Sequence, residues 1–121
     1  MANPICWWEL ASHNADKSVE FLRTVFGWEA QLDQATSIYD VPTEGLPGGV
    51  FTLRKAKLPF LTLYIEVDDI DAKARQVEQQ GGFIVIPPFA LASGSRICLF
   101  NEPSGVTFAM LQRAKKDPEP A

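Results

Sequence analysis

The sequence contains one histidine and two cysteines, and this scarcity limits the metal and nucleophile chemistry that it can support. A structural zinc site needs four His or Cys ligands, and Cys6 and Cys98 lie far apart in apolar stretches without CxxC spacing. A zinc cage is therefore excluded, and we expect two buried thiols rather than a disulfide. Because His13 stands alone, a Ser-His or Cys-His nucleophile is disfavoured, and we expect His13 to have a loop or capping role.

Long apolar runs and concentrated basic segments are also absent. No stretch approaches the roughly 20 apolar residues that cross a bilayer, and the opening Met-Ala-Asn-Pro lacks the pattern of a signal peptide. We therefore expect a cytoplasmic protein with no membrane partner. The formal net charge is -4, and Asp117 and Glu119 directly follow the one basic cluster, residues 113–116. Binding to nucleic acid, which needs a basic face, is not expected.

The apolar residues that are present predict one compact domain with a strand, a helix and three further strands in its first half. Of the 121 residues, 46% are hydrophobic, enough for one core. Residues 5–11 suit a strand, and Ser12, His13 and Asn14 offer capping groups. Helical spacing of Ala15, Val19, Leu22 and Phe26 predicts a helix over 15–26 that Gly27 ends. Short runs at 28–32, 37–41 and 50–55 predict an antiparallel meander.

The second half repeats this pattern. A strand over 60–67 and a helix over 70–80 are predicted, followed by strands over 83–86, 96–100 and 106–112. An offset of 55 aligns Asn14 with Asp69 and Gly27 with Gly82, and an offset of 56 aligns Leu53 with Ala109. We therefore predict a single domain over 1–112, with one module at about 5–55 and another at about 60–112. Residues 113–121 are expected to be a disordered tail.

Several motifs together resemble the vicinal oxygen chelate superfamily, which includes glyoxalase I, bleomycin-resistance proteins and extradiol dioxygenases. These are residues 18–28, ending in Phe-Gly-Trp, residues 64–70, Gly81-Gly82 and residues 100–105. The resemblance implies an α+β fold in which two βαβββ modules form a curved mixed sheet around a central cavity, with the helices outside. It also implies a homodimer.

The resemblance further implies that metal ligands, where the family has them, come from the first and fourth strands of each module. Matched to the motifs of this chain, these positions fall on Trp7, Leu53, Thr62 and Ala109. An indole, two aliphatic side chains and one hydroxyl are not usual metal ligands. We therefore expect no metal and no cofactor, and metal-dependent glyoxalase or dioxygenase activity is not supported.

Strand alternation extends this set of candidate site residues. Trp7 and Glu9 share one face of the first strand, and Thr62, Tyr64 and Glu66 share the corresponding face of the fifth. Phe51 shares a face with Leu53, whereas Phe108 is expected to point away. Candidate catalytic residues are Glu9, Tyr64 and Glu66, and candidate ligand-binding residues are Trp7, Phe51, Leu53, Thr62 and Ala109. The structural alternative is that Glu9 and Glu66 only pair with a basic residue such as Arg54 or Arg96.

Three functions follow from these residues. The first is a non-metal member of the superfamily that binds a small, partly apolar or aromatic molecule, as resistance and binding proteins do. The second is a lyase or isomerase-like enzyme that acts on a carbonyl compound with Glu9 as acid or base, with or without a metal in a shifted site. The third is a protein-association component with a closed cavity. If the protein binds a small molecule or is an enzyme, the loop Pro42–Gly49 would be the rim or lid of the cavity.

Overall fold

The computed structural model describes residues 3–55 and 57–114, and it confirms an α+β fold of two βαβββ modules. Both helices begin where the sequence predicts, each directly after a capping residue. The elements are β1 (Ile5–Ser12), α1 (Ala15–Phe26), β2 (Gln31–Asp33), β3 (Ile38–Val41), β4 (Gly48–Thr52), β5 (Phe60–Glu66), α2 (Ile70–Gln79), β6 (Phe83–Ala90), β7 (Arg96–Asn101) and β8 (Thr107–Gln112).

The chain divides into two compact units, with the boundary inside β5 between Leu63 and Tyr64. The first unit spans Cys6–Leu63, and its strands lie in the order β2-β3-β4-β1. The second comprises the described residues from Tyr64 onward together with residues 3–5, in the order β5-β8-β7-β6. In each unit the first strand of the module runs parallel to the last, and the remaining neighbours are antiparallel.

In the first unit, α1 is fixed by its caps and by one apolar face. The Asn14 side chain accepts a hydrogen bond from the Lys17 N–H, and Gly27 closes the helix with a φ of 70°. Ala15 and Val19 are buried in a core that includes Val41 and Val50 on the sheet. Phe26 lies in the last turn of the helix and is 58% exposed, and its ring centroid is 5.8 Å from that of Trp28.

In the second unit, α2 follows the same plan with different residues. The Asp69 side chain accepts a hydrogen bond from the Ala72 N–H, and Ile70 and Ala74 are buried against a core that includes Cys98 and Met110. The helix ends at Gln79, one residue before the predicted end, because Gln80 is its cap. Burial raises the pKa of the Cys98 thiol, which makes it a poor nucleophile.

Several strand boundaries differ from the prediction. β2 begins at Gln31 rather than 28, because Trp28 instead packs on Trp8 with the ring centroids 5.6 Å apart. β4 covers Gly48–Thr52 rather than 50–55, so Leu53 lies just beyond it. β6 does not stop at 86 but continues through two prolines to Ala90. Proline is tolerated there because β7 is the one described strand of this unit that pairs with β6. On the other edge of β6, a proline removes no hydrogen bond to another described strand of the unit.

A close approach of backbone and side chain fixes the start of β4. Trp8 pairs with Gly48 across the parallel β1–β4 ladder, and a methyl group on Gly48 would lie 2.1 Å from two atoms of the Trp8 ring. The indole N–H of Trp8 donates a hydrogen bond to the Leu46 carbonyl at 2.8 Å, and the Thr43 hydroxyl donates to the same oxygen at 2.9 Å. The loop Pro42–Gly49 is thus tied to β1.

Three further sequence predictions have structural outcomes. Among the described residues neither cysteine forms a disulfide, and Cys98 is buried whereas Cys6 is half-buried. No helix in that part of the chain is long and apolar enough to pass through a bilayer. Most of the expected disordered tail, residues 115–121, lies outside the described residues. Arg113 and Ala114 are described, and both form hydrogen bonds within the second unit.

Candidate functional site

In the first unit one face of the sheet carries α1, and none of the described residues of this unit form a helix on the opposite face. The covered face includes Trp8, Leu10 and Val50, which pack on the helix. Because side chains alternate along a strand and paired residues share a side, Trp7 and Glu9 lie on the opposite face. We call this surface the first helix-free face. Its members are Trp7, Glu9, Ala11, Gln31, Asp33, Ile38, Asp40, Gly49 and Phe51.

Trp7 is held in place on this face by Glu9 and by the absence of a side chain at Gly49. The indole N–H donates a hydrogen bond to a Glu9 carboxylate oxygen at 3.2 Å, and both side chains are half-buried. A methyl group on Gly49 would lie 3.1 Å from Trp7 Cζ2, so glycine leaves room for the indole. Glu9 is opposite Gly49 in the ladder, and Gly49 is opposite Asp40. One row across the sheet therefore carries two carboxylates with the indole beside them.

A small cavity of about 200 Å³ opens at this end of the first unit. Trp7, Pro42 and Pro47 lie in its wall, and Asp40 is the charged residue among the described residues that line it. The loop Pro42–Gly49, predicted to be a rim, does line it. Sequence reasoning did not select Asp40, because its position beside Trp7 depends on the pairing of three strands. The lining residues are Trp7, Gln31, Asp40, Val41, Pro42, Pro47 and Gly48.

Within the described residues of the second unit, one face of the sheet likewise carries no helix. Its covered face carries Cys98 and Met110 against α2, together with Phe108, which stacks on Phe100 at 5.9 Å as alternation predicts. The register places Tyr64 opposite Ala109 and Glu66 opposite Leu111 on the other side. We call this surface the second helix-free face. Its members include Tyr64, Glu66, Ile86, Phe89, Ile97, Leu99, Ala109 and Leu111.

Glu66, at the end of the second helix-free face, forms an ion pair. Arg113 Nε lies 2.6 Å from a Glu66 carboxylate oxygen. Glu66 therefore does pair with a basic residue, but that residue is neither Arg54 nor Arg96. Arg96 instead holds Asp71 through two hydrogen bonds of 2.7 and 3.0 Å, and these bonds lower the pKa of the Asp71 carboxyl. Arg113 was missed because the sequence assigns it to a tail.

The register also corrects the equivalence of Leu53 and Ala109. Glu9 and Tyr64 are related by the offset of 55 that aligns the two modules, and their ladder partners are Gly49 and Ala109. Gly49, rather than Leu53, is therefore the counterpart of Ala109. The offset of 56 fails because β4 begins two residues earlier than predicted, so counting from the loop glycines overshoots the strand.

The residues at the ligand positions do not fit a metal ion, whichever register is used. Trp7, Gly49, Leu53 and Ala109 have no donor atom for a metal. Thr62 has one hydroxyl, which is buried and has no hydrogen-bond partner in the described part of the chain. Over residues 3–55 and 57–114, no group of three or more His, Cys, Asp and Glu side chains could hold a metal ion. His13 is exposed and contacts the Lys57 carbonyl through its imidazole, which agrees with the expected loop role.

The arrangement of strands, helices and motifs corresponds to a known family. The model of the Glyoxalase/Bleomycin resistance protein/Dioxygenase superfamily matches residues 5–110. The chain belongs to this superfamily. Its α+β modules are those that the superfamily resemblance implies.

The chain is distantly similar to several curated proteins. The anthracycline biosynthesis protein DnrV of Streptomyces peucetius is 25% identical over 126 residues, covering 88% of this chain and 46% of DnrV. The chain thus spans about half the length of the curated relatives it matches.

Solved structures agree on the fold. A hypothetical protein from Bacillus halodurans C-125 has a TM-score of 0.74 at 11% identity, covering 98% of this chain and 100% of its own. Methylmalonyl-CoA epimerase of Streptomyces coelicolor, in complex with 2-nitronate-propionyl-CoA, has a TM-score of 0.64 at 20% identity. The match covers 95% of this chain and 100% of the epimerase chain. At such identities the likeness shows the fold alone.

Proposed function

We propose that the protein binds a small, partly apolar or aromatic molecule on its helix-free faces, without a metal ion. The observation that carries this proposal is the side chains at the positions where the superfamily resemblance implies metal ligands. These positions carry an indole, one hydroxyl, aliphatic groups or no side chain. Binding of an organic ligand needs such apolar walls with a few fixed polar groups. The proposed ligand-binding residues are Trp7, Phe51, Leu53, Thr62 and Ala109.

Trp7 is the residue best suited to anchor such a ligand. Its ring is large and its position is fixed by the hydrogen bond to Glu9, so little conformational entropy is lost when a ligand packs against it. Tryptophan is also among the residues that most often dominate binding energy. The homodimer and the cytoplasmic location stay predictions from the sequence.

A ligand panel tests this function. Aromatic and alicyclic small molecules are expected to include compounds that raise the melting temperature of the protein, since a ligand that binds only the native state stabilises it. The substitution Trp7→Leu should weaken the binding of the best compound by at least about 30-fold, as expected for an anchor residue. Calorimetry measures this change in affinity. Phe21→Leu is the matched control, because Phe21 is 59% exposed on α1 and outside both helix-free faces.

Two results would contradict the proposal. One is a stoichiometric divalent ion in protein purified without chelator, which would require ligands other than those at the superfamily positions. The other is that no compound raises the melting temperature, which would favour the hypothesis that the protein has a closed cavity and acts through association with other proteins. Equal losses in Trp7→Leu and Phe21→Leu would show that the first helix-free face is not the binding surface.

A second function, proton transfer by Glu9, is favoured by the fixed geometry of its carboxylate. The Trp7 N–H orients one oxygen of this half-buried side chain, as a positioned acid or base requires. The fold likeness to methylmalonyl-CoA epimerase suggests a reaction to examine, exchange of the α-proton of an acyl-CoA thioester. Tyr64 and Glu66 are the further candidate catalytic residues in this reading.

Glu9→Gln tests the second function with little structural disturbance, because the glutamine carbonyl can still accept the Trp7 N–H. If Glu9 is the base, exchange of the α-proton of methylmalonyl-CoA with deuterium, followed by NMR, should fall by about 10²–10⁴-fold. The melting temperature should stay unchanged. Glu20→Gln, on the exposed side of α1, is the control. If the unmodified protein catalyses no detectable exchange, or if Glu9→Gln and the unmodified protein exchange the proton equally fast, proton transfer by Glu9 is ruled out.

A further inference from the structure

We propose a second ligand site, a cavity of about 430 Å³ beside α2 in the second unit, which takes an uncharged aromatic molecule. It lies on the helix-covered side of the sheet, because Ile65 and Met110 line it and alternate with the residues of the second helix-free face. The volume lies within the roughly 300–1,000 Å³ of small-molecule pockets. A stable protein interface would need a larger surface, about 800 Å² on each partner.

The cavity is open because α2 covers only part of the sheet and presents small side chains to it. The helix packs chiefly over β6 and β7, whereas β5 lies beyond β8 in the strand order. In the repeat of 55 residues, Ala74 and Val77 stand where α1 has Val19 and Leu22. These shorter side chains leave space above β5 and β8.

The interior of the cavity is apolar. Val67, Phe100 and Met110 form its floor, with 5%, 9% and 3% of their surfaces exposed. Ile65 and Val77 are half-buried and form its walls. A bound apolar molecule would remove the remaining apolar surface of these side chains from water, which is the main source of affinity in such pockets.

Two of the floor residues favour an aromatic molecule over an aliphatic one. Phe100 stacks on Phe108 with the ring centroids 5.9 Å apart, and this contact holds its ring in one orientation. The flexible thioether of Met110 adapts to the shape of a bound ring, and sulfur contacts aromatic rings favourably. A flat molecule of one or two rings can therefore pack on a ring and a sulfur atom together.

The polar groups at the rim favour an uncharged molecule. The charged group in the described lining is the Lys73 ammonium, which donates a hydrogen bond to the Gln76 side chain at 3.4 Å. Lys73 also lines an adjoining cavity together with Asp68 and Asp69, so carboxylates lie near its charge. A bound anion would compete with these carboxylates, and a bound cation would meet the ammonium. The amide of Gln80 can donate a hydrogen bond to a polar atom at the edge of an uncharged ring.

Titration with indole, followed by methyl NMR, tests the second site. Indole is expected to shift the methyl signals of Val67, Val77 and Met110 with one dissociation constant of about 1 mM or lower. Indole-3-acetate and tryptamine carry a negative and a positive charge on the same ring system. Both should bind this cavity at least about 10-fold more weakly than indole.

Substitutions at Val77 locate the binding. Val77→Phe fills the cavity and should weaken the binding of indole by at least about 10-fold, as reported by the Val67 and Met110 signals. Val77→Leu, which introduces the residue that α1 has at this position, is a milder change and should weaken it about 3-fold. Val25→Phe makes the same replacement at a 55% exposed position of α1 and should leave the affinity unchanged. Trp7→Leu should also leave it unchanged, because Trp7 lies in the other unit.

The outcomes separate the second site from the proposed function. The second site is wrong if indole causes no saturable shift at Val67 or Met110, or if Val77→Phe and Val77→Leu both bind indole as tightly as the unmodified protein. If tryptamine or indole-3-acetate binds this cavity as tightly as indole, the uncharged class of ligand is wrong. Indole binding that Trp7→Leu abolishes and Val77→Phe does not would support the proposed function and overturn the second site. Binding that Val77→Phe abolishes and Trp7→Leu does not supports the second site, whatever the helix-free faces bind.

Discussion

The substitution Gly48→Ala is expected to lower the free energy of unfolding by about 3 kcal/mol. A lower midpoint concentration in urea unfolding would show this loss. The added methyl group would lie 2.1 Å from the Trp8 ring, and those atoms are in the middle of the indole rather than at a flexible end. Moving the ring would also break the hydrogen bond from Trp8 Nε1 to the Leu46 carbonyl, which contributes about 1 kcal/mol.

Gly45→Ala is the control for this change. Gly45 lies in the same loop, and a methyl group there would contact only the Thr43 hydroxyl at 3.9 Å. Its unfolding free energy should stay within about 0.5 kcal/mol of the unmodified protein. Equal stability of both variants would mean that the Trp8 ring does not pack on Gly48.

Ile70→Ala is expected to lower the free energy of unfolding by about 3–4 kcal/mol, within the range of about 2–5 kcal/mol for truncating a buried Leu, Ile or Met to alanine. Ile70 is 0% exposed and belongs to the core of α2 with Val67, Ala74 and Met110. Alanine keeps the backbone N–H that donates to the Gln112 side chain at 2.8 Å, so the change removes packing and not that hydrogen bond. Chemical denaturation monitored by circular dichroism measures the loss.

The matched control for Ile70 is Val106→Ala, because Val106 is 56% exposed in the β7–β8 turn. The Val106→Ala variant should lose less than about 0.5 kcal/mol of unfolding free energy. A cost near 1 kcal/mol for Ile70→Ala would indicate that the second unit closes around the missing atoms.

The helices were predictable because their signals are local. Asn14 and Asp69 cap helices within three or four residues of chain, and Gly27 ends one through its own backbone conformation. The repeat of 55 residues between the modules follows from these same signals. Local chemistry also predicted which residues of β1 and β5 share a face, since alternation needs only the strand itself.

The site was less predictable because it depends on pairing between distant segments. Asp40 comes beside Trp7 only through β3 and β4, and the pairing of Glu66 with Arg113 spans 47 residues. The start of β4 decides whether Leu53 or Gly49 matches Ala109, and that start is set by the contact of Trp8 with Gly48. A glycine in a strand is a weak signal until its neighbour is known.

The two prolines of β6 have a consequence for the behaviour of the chain in concentrated solution. β6 presents Val85, Ile86 and Phe89 with more than a third of each side chain exposed, and it is the outermost strand of its unit. Such a strand would otherwise be a template on which other chains could add, the first step toward fibrils. Pro87 and Pro88 remove two successive N–H donors from it, and the register shifts before Phe89 interrupt its flatness. The strand can thus stay apolar without recruiting copies of itself.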